Sequence, residues 1–253
     1  MEDTLKNTWK AALAAAAVLG SAQIAKADLS LYGETGLFLN PTGEIAAKKA
    51  TEAQLVYANN HFNDQSAVGL GLAGQVAKGL ELNLQSLKHS DNGLPDGYEG
   101  ATWAYFGGKY QLISPKEKGL ALSLGLRYLH TNAVNDWKGY TGYLAVTKAV
   151  NRSSERAPIK ATVGLRYDHT SVSDDSDSKV NMFTGIEVPL SAEGDFKVIG
   201  EFGTKRFEYG SNPWALGVRW SPSRKGISAG FGYGNYGYNS NGFFAQVGYK
   251  FGR

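Results

Sequence analysis

From Thr51 to the C-terminus the chain alternates apolar and polar residues with period two, the pattern that gives a strand one apolar and one polar face. The alternation comes in segments of about ten residues punctuated by Gly, Asn, Asp, Ser or Pro, as in transmembrane strands. Leu120, Leu122, Leu124, Leu126 and Tyr128 alternate with Ala121, Ser123, Gly125 and Arg127. Ile159, Ala161, Val163, Leu165 and Tyr167 alternate with Lys160, Thr162, Gly164, Arg166 and Asp168. Trp214, Leu216, Val218 and Trp220 enclose Ala215, Gly217 and Arg219, and Phe243, Ala245, Val247, Tyr249 and Phe251 oppose Phe244, Gln246, Gly248 and Lys250. The pattern predicts strands near 51–60, 67–76, 80–88, 101–113, 120–130, 140–150, 159–172, 180–190, 196–207, 213–221, 227–237 and 243–251. That is about 12, with 14 as the other even count, in one all-β, antiparallel, up-and-down barrel.

A soluble sandwich also alternates, but it must hide every aliphatic face in one shared core. Here the polar face is rich in Gly and charge, and aromatics bracket the apolar stripes: Trp214 and Trp220 on one strand, Phe243 with Tyr249 and Phe251 on another. Six to eight residues span about 20–27 Å at roughly 3.4 Å each, which suits an apolar band about 25 Å tall between aromatic girdles. An even strand number puts both termini on one side, expected to be the periplasm. The longer connections 61–66, 89–100, 131–139, 173–179, 208–212 and 238–242 then face outward.

Residues 1–27 read as a cleaved signal peptide: Lys6 and Lys10, the apolar run 11–20, then Ala25-Lys26-Ala27 ahead of Asp28. Residues 28–50 lack the alternation and are expected to be a periplasmic clasp, an extra strand or a segment inserted in the lumen. Residues 51–253 form the barrel.

Composition agrees with this division. With 32 Gly, 14 Tyr, 11 Phe and 5 Trp in 253 residues, and a mean hydropathy of -0.30, the chain suits a barrel and is too polar for a helical membrane protein. The net charge of +3 comes from scattered Lys and Arg, so nucleic acid is not an expected partner. There is no cysteine, which excludes disulfides, thiolate metal sites, Cys nucleophiles and an N-terminal lipid anchor.

The C-terminal run Gly242-Phe243-Phe244-Ala245-Gln246-Val247-Gly248-Tyr249-Lys250-Phe251 resembles the final strand of bacterial outer-membrane β-barrels, although Gly252 and Arg253 follow it. The resemblance implies porin-like architecture and handling by the barrel-assembly machinery through that strand. It also implies an outer-membrane location among outer-membrane lipids and lipopolysaccharide. A shorter stretch, Thr35-Gly36-Leu37-Phe38-Leu39-Asn40-Pro41-Thr42-Gly43-Glu44-Ile45, is similar to the opening of barrels of the YjbH type, linked to exopolysaccharide export. Physically, Asn-Pro-Thr-Gly is a strong turn signal.

If the apolar faces meet lipid, the others line the interior. The residues placed there as pore-lining are Lys109, Arg127, Lys160, Arg166, Glu187, Lys197, Glu201, Arg219 and Lys250, accompanied by Lys205, Glu52, Glu81 and Asp168. Inward glycines, among them Gly125, Gly164, Gly185, Gly217 and Gly232, are expected to leave room for water. The cationic excess would then bias passage toward anions. The preferred reading is a narrow passive channel for small solutes. Its alternative is a non-conducting envelope barrel whose charges pair into a closed core.

No cofactor, metal site or enzymatic motif is expected, since G-x-S-x-G, H-E-x-x-H and phosphate-loop patterns are absent. Two chemistry-bearing clusters stand out nonetheless. His169-Thr170-Ser171 has a His-x-Ser spacing similar to that of outer-membrane lipid hydrolases, making such a hydrolase the third reading, but no third group to orient the base is evident. Asp174-Asp175-Ser176-Asp177 could hold a divalent cation bridging lipopolysaccharide phosphates, or simply be a solvated loop tip.

Overall fold

The computed structural model describes residues 28–48, 50–60, 65–90, 100–115, 119–132, 137–150, 157–172, 175–206, 210–222, 226–237 and 241–251. The proposed signal peptide lies outside these. Twelve strands run in chain order: β1 Thr51–Asn60, β2 Gln65–Ala77, β3 Leu80–His89, β4 Thr102–Ile113, β5 Leu120–Thr131, β6 Lys138–Val150, β7 Ile159–Val172, β8 Asp175–Pro189, β9 Phe196–Gly203, β10 Trp214–Trp220, β11 Ile227–Asn235 and β12 Asn241–Phe251. Each pairs antiparallel with its sequence neighbours, and β1 closes on β12 through Thr51↔Phe251 to Ala58↔Phe244. Closure leaves no edge whose backbone groups lack a ladder, the condition for a sheet to sit in hydrocarbon. The start of β1 and the end of β12 share one rim, the termini rim. The opposite rim is the far rim.

Side-chain direction follows the alternation. Outward residues are aliphatic and exposed, including Leu126 at 67% and Val180 at 68%. An apolar belt of this extent has no place on a water-soluble monomer and is the lipid-facing surface of a barrel. Aromatics collect at its two margins. Phe106, Tyr128, Tyr140, Tyr167, Phe202, Trp214 and Phe243 lie toward the far rim, and Tyr110, Phe196, Trp220 and Tyr249 toward the termini rim.

Two departures from the expected segments have local causes. The stretch 173–179 is not a loop throughout: β8 begins at Asp175 and pairs upward with β7 (Val172↔Asp175), forming a long hairpin that overtops its other neighbour. On the other side β9 stops at Gly203 and β10 starts only at Trp214, so the wall is lower there. Gly79 adopts a φ of 78° in the tight β2–β3 connection, a conformation that only glycine enters without steric cost.

The barrel's larger core cluster is shared between its strands and a segment outside them. Residues 28–48 fold within the lumen, and a hydrophobic cluster joins Leu31, Tyr32, Leu37, Phe38 and Leu39 to Val56, Leu87, Tyr105, Ile199, Ala215 and Phe244 of the wall. The segment makes its own turns: Ser30 N–H donates to Glu34 O (2.8 Å), Leu31 N–H to Phe38 O (2.7 Å) and Leu37 N–H to Asn40 O (2.9 Å). It meets the termini rim near Asp28 and returns there at Lys48, which bridges to Gln75, before entering β1.

Candidate functional site: the occupied lumen

A folded segment without a sheet ladder must satisfy its backbone groups elsewhere, and the inner wall does this with charged side chains. Glu81 on β3 accepts from Thr35 N–H (2.9 Å), Thr35 Oγ1 (2.7 Å) and Ala46 N–H (2.6 Å). Glu201 on β9 accepts from Leu39 N–H (2.7 Å) and Asn40 Nδ2 (2.8 Å). Arg219 on β10, fully buried, donates to Gly36 O (2.9 Å), Leu37 O (3.1 Å) and Leu29 O (3.2 Å), with its guanidinium 4.8 Å from the centre of the Phe38 ring. Lys109 on β4, also fully buried, donates to Thr35 O and lies 3.9 Å from Glu81.

Three carboxylates of the segment complete the contact. Glu34 pairs with Arg127 at 2.9 Å, and that guanidinium stacks over Tyr32 at 4.5 Å. Asp28 pairs with Lys197 at 2.8 Å, and Lys197 also holds Glu187 at 3.1 Å. Glu44 pairs with Lys160 at 2.6 Å. Burial alone would raise the Asp28 carboxyl, but Lys197 and Arg219 outweigh it and hold the group below the usual carboxylate range. Lys250 pairs with Glu52 at 2.5 Å, and Glu52 accepts from Asp28 N–H at 3.2 Å. Toward the far rim, Arg166 and Arg206 share Asp168 at 3.0 and 2.9 Å, and Arg166 also donates to Asn40 Oδ1 (3.0 Å).

The charges of this network balance. Among the described residues the barrel contributes the cations Lys109, Arg127, Lys160, Arg166, Lys197, Arg206, Arg219 and Lys250 against the carboxylates Glu52, Glu81, Asp168, Glu187 and Glu201. Among these wall side chains the cationic surplus is three, and Asp28, Glu34 and Glu44 each pair with one wall cation, while Lys48 of the segment stays exposed at the termini rim. Unpaired, such buried charges would each be strongly destabilising.

All nine residues singled out from the sequence face the interior. Seven touch the segment directly, whereas Glu187 and Lys250 act through Lys197 and Glu52. Lys205 does not join them: it is exposed, and Arg206 is buried in its place. The expected strand ran to 207, but β9 ends at Gly203 and the break reverses the inward parity. Arg206 was therefore missed, because in a strand running to 207 it falls on the outward parity.

The glycines also act differently from expectation. They make room for side chains rather than for water. A Cβ on Gly185 would lie 2.2 Å from Leu37 Cδ1, one on Gly217 2.8 Å from the Phe38 ring, and one on Gly232 2.3 Å from the Phe244 ring. Gly43 in the segment packs against the β5 backbone, where a Cβ would meet Ala121 O at 2.4 Å. The stretch Thr35–Ile45 is thus a set of lumenal turns. Among the described residues a cavity of about 1070 Å³ opens at the termini rim, lined by Asp28, Glu44, Lys48, Lys160, Glu187 and Lys250 among others.

On the outer surface, His169 Nδ1 hydrogen-bonds Ser178 Oγ across β7–β8 at 2.7 Å, and its ring stacks on Tyr140. The hydroxyl near His169 therefore belongs to Ser178 and not to Ser171, which sits opposite Ser176. No carboxylate orients that imidazole among the described residues. Asp175 and Asp177 are strand residues of β8, and no cluster of metal-ligating side chains occurs among the described residues.

No protein-family model matches the sequence, and no curated protein matches it. Solved structures do. The chain is similar to a KdgM porin (TM-score 0.56, 13% identity, 79% of this chain and 99% of that one) and to a NanC porin (0.56, 11%, 79% and 99%). A KdgM porin in complex with disordered oligogalacturonate matches with the same TM-score of 0.56. The chain is thus a closed, antiparallel, 12-stranded barrel that shares its fold with these two porins and has its own residues 28–48 seated in the lumen.

Proposed function

We propose that this protein is an outer-membrane channel of porin type whose lumen is closed by its own N-terminal segment, and that small solutes, anions above neutral ones, pass when the segment is displaced. The observation that carries this reading is the charge balance of the lumen. The inward wall side chains carry a surplus of three cations, and three wall cations are held by carboxylates of the segment. A cationic wall freed of that segment selects anions. Both ends of the segment lie at the termini rim, so it can leave on that side, tethered through β1, without threading through the barrel. The solved KdgM complex with oligogalacturonate, an acidic oligosaccharide, fits the same preference.

In this reading the leader is removed after Ala27, the termini face the periplasm, and the aromatic margins sit among outer-membrane lipids and lipopolysaccharide. The C-terminal strand ending at Phe251 engages the assembly machinery. The test is solute entry into liposomes carrying the intact chain or a chain lacking residues 29–47. Entry of gluconate faster than glucose, through the shortened chain, supports the proposal. A shortened barrel that folds and admits neither solute overturns it. The hydrophobic cluster that seals the lumen favours a second reading, a non-conducting envelope barrel. That reading holds if no condition opens the intact chain.

A further inference from the structure

Resting on the channel reading above, we propose that the N-terminal segment is an internal stand-in for the solute, and that a multivalent anion opens the channel by taking the wall cations from Asp28, Glu34 and Glu44. Each of these carboxylates occupies a cation on a different part of the wall: Lys197 on β9, Arg127 on β5 and Lys160 on β7. The segment thus presents three negative charges to three fixed positive sites, as a polyanion would. It is tethered through β1, so its effective concentration at those sites is on the order of millimolar or above. A single carboxylate from solution competes poorly against that. An anion engaging two or three of the sites at once shares the same multivalent advantage.

Exposure orders the displacement. The Glu44–Lys160 pair is the most accessible, with side chains 26% and 28% exposed, and it lines the cavity at the termini rim. Asp28, at 19%, lines the same cavity and is the next to yield. Glu34 and Arg127 are buried and are reached last. An anion in the cavity therefore meets Lys160, beside the other lining cations Lys48, Lys78 and Lys250, and reaches Lys197 only as Asp28 yields. Loss of both loosens the chain on either side of the turns that carry Leu37 and Phe38. The lysine side chains suit this exchange because each is a flexible point charge with rotatable donors.

The probe is inorganic tripolyphosphate, compared with sodium chloride at matched ionic strength so that screening is held constant. The chain has no cysteine, so Ser30→Cys, at a fully buried site of the segment, reports exit by its rate of thiol labelling. With this single-cysteine chain, otherwise intact, in bilayers, tripolyphosphate should raise both conductance and thiol labelling severalfold over the chloride control. Adding Asp28→Asn, Glu34→Gln and Glu44→Gln together should give fast labelling without anion and little gain from it. Equal responses to tripolyphosphate and chloride, or a triple variant that still needs the anion, would overturn the proposal. A chain lacking residues 29–47 separates this failure from that of the channel reading: if it conducts while the intact chain ignores tripolyphosphate, only the stand-in role is lost.

Discussion

Replacing Arg219 with Met removes a buried tie of three hydrogen bonds between wall and segment. Arg219 is fully buried and donates to the carbonyls of Leu29, Gly36 and Leu37 while lying against Phe38. Methionine keeps an unbranched apolar stem against Phe38 and introduces no new polar group. Hydrogen bonds to charged donors contribute roughly 1.5–3 kcal/mol each, but three from one guanidinium are not additive. Removing one side of a buried charged contact generally costs about 3–5 kcal/mol. Because every 1.4 kcal/mol is tenfold, the displaced population should rise by about two to three and a half powers of ten. The barrel itself should persist, since the β9–β10 and β10–β11 ladders are backbone contacts. The assay is thiol labelling of Ser30→Cys with and without Arg219→Met, alongside heat-modifiable gel migration as a check that the barrel is closed. A barrel that folds and labels at the unsubstituted rate would refute the argument that this guanidinium seats the segment.

Further outcomes follow from the same geometry. Gly185→Val fills the slot now occupied by Leu37 Cδ1, and should free the segment for limited proteolysis while leaving the folded barrel resistant. Leu126→Arg places a charge on the lipid-facing belt, where 67% of the leucine is exposed. It should reduce refolding stability in bilayers by about 2–4 kcal/mol if near the midplane, without changing thiol labelling in the Ser30→Cys background. Asp28 has a depressed carboxyl pKa in the folded chain, so its contribution to seating is complete above its unfolded pKa of about 3.9 and declines as the pH falls toward the folded value. Labelling of the Ser30→Cys chain should therefore accelerate below about pH 4, and Asp28→Asn should weaken that acid limb.

The wall was legible because period-two alternation is imposed by geometry: a strand with lipid on one side and a filled lumen on the other must alternate. Leu120 to Tyr128 shows this in β5, and the inward placement of Arg127, Arg166 and Arg219 followed from it. Legibility failed where the strands end. The acidic run at Asp175 and Asp177 reads as a loop by composition, yet pairing with β7 continues through it. Past Gly203 the parity changes, which exchanged Lys205 for Arg206. The lumenal segment was visible only as a turn signal at Asn40-Pro41-Thr42-Gly43 and as a stretch without alternation. Its burial depends on contacts with strands more than a hundred residues away, such as Leu39 with Glu201 and Gly36 with Arg219. No local periodicity encodes those pairings. The glycines were correctly placed inward but misread, because the side chains that fill their hollows come from that segment and from neighbouring strands.

Single-channel recording under a salt gradient compares the intact chain directly with one lacking residues 29–47. We expect the intact chain to be closed for most of the record and the shortened chain to conduct steadily, with a reversal potential of anion-selective sign. Equal, steady conductance from both chains would contradict a lumen closed by residues 28–48.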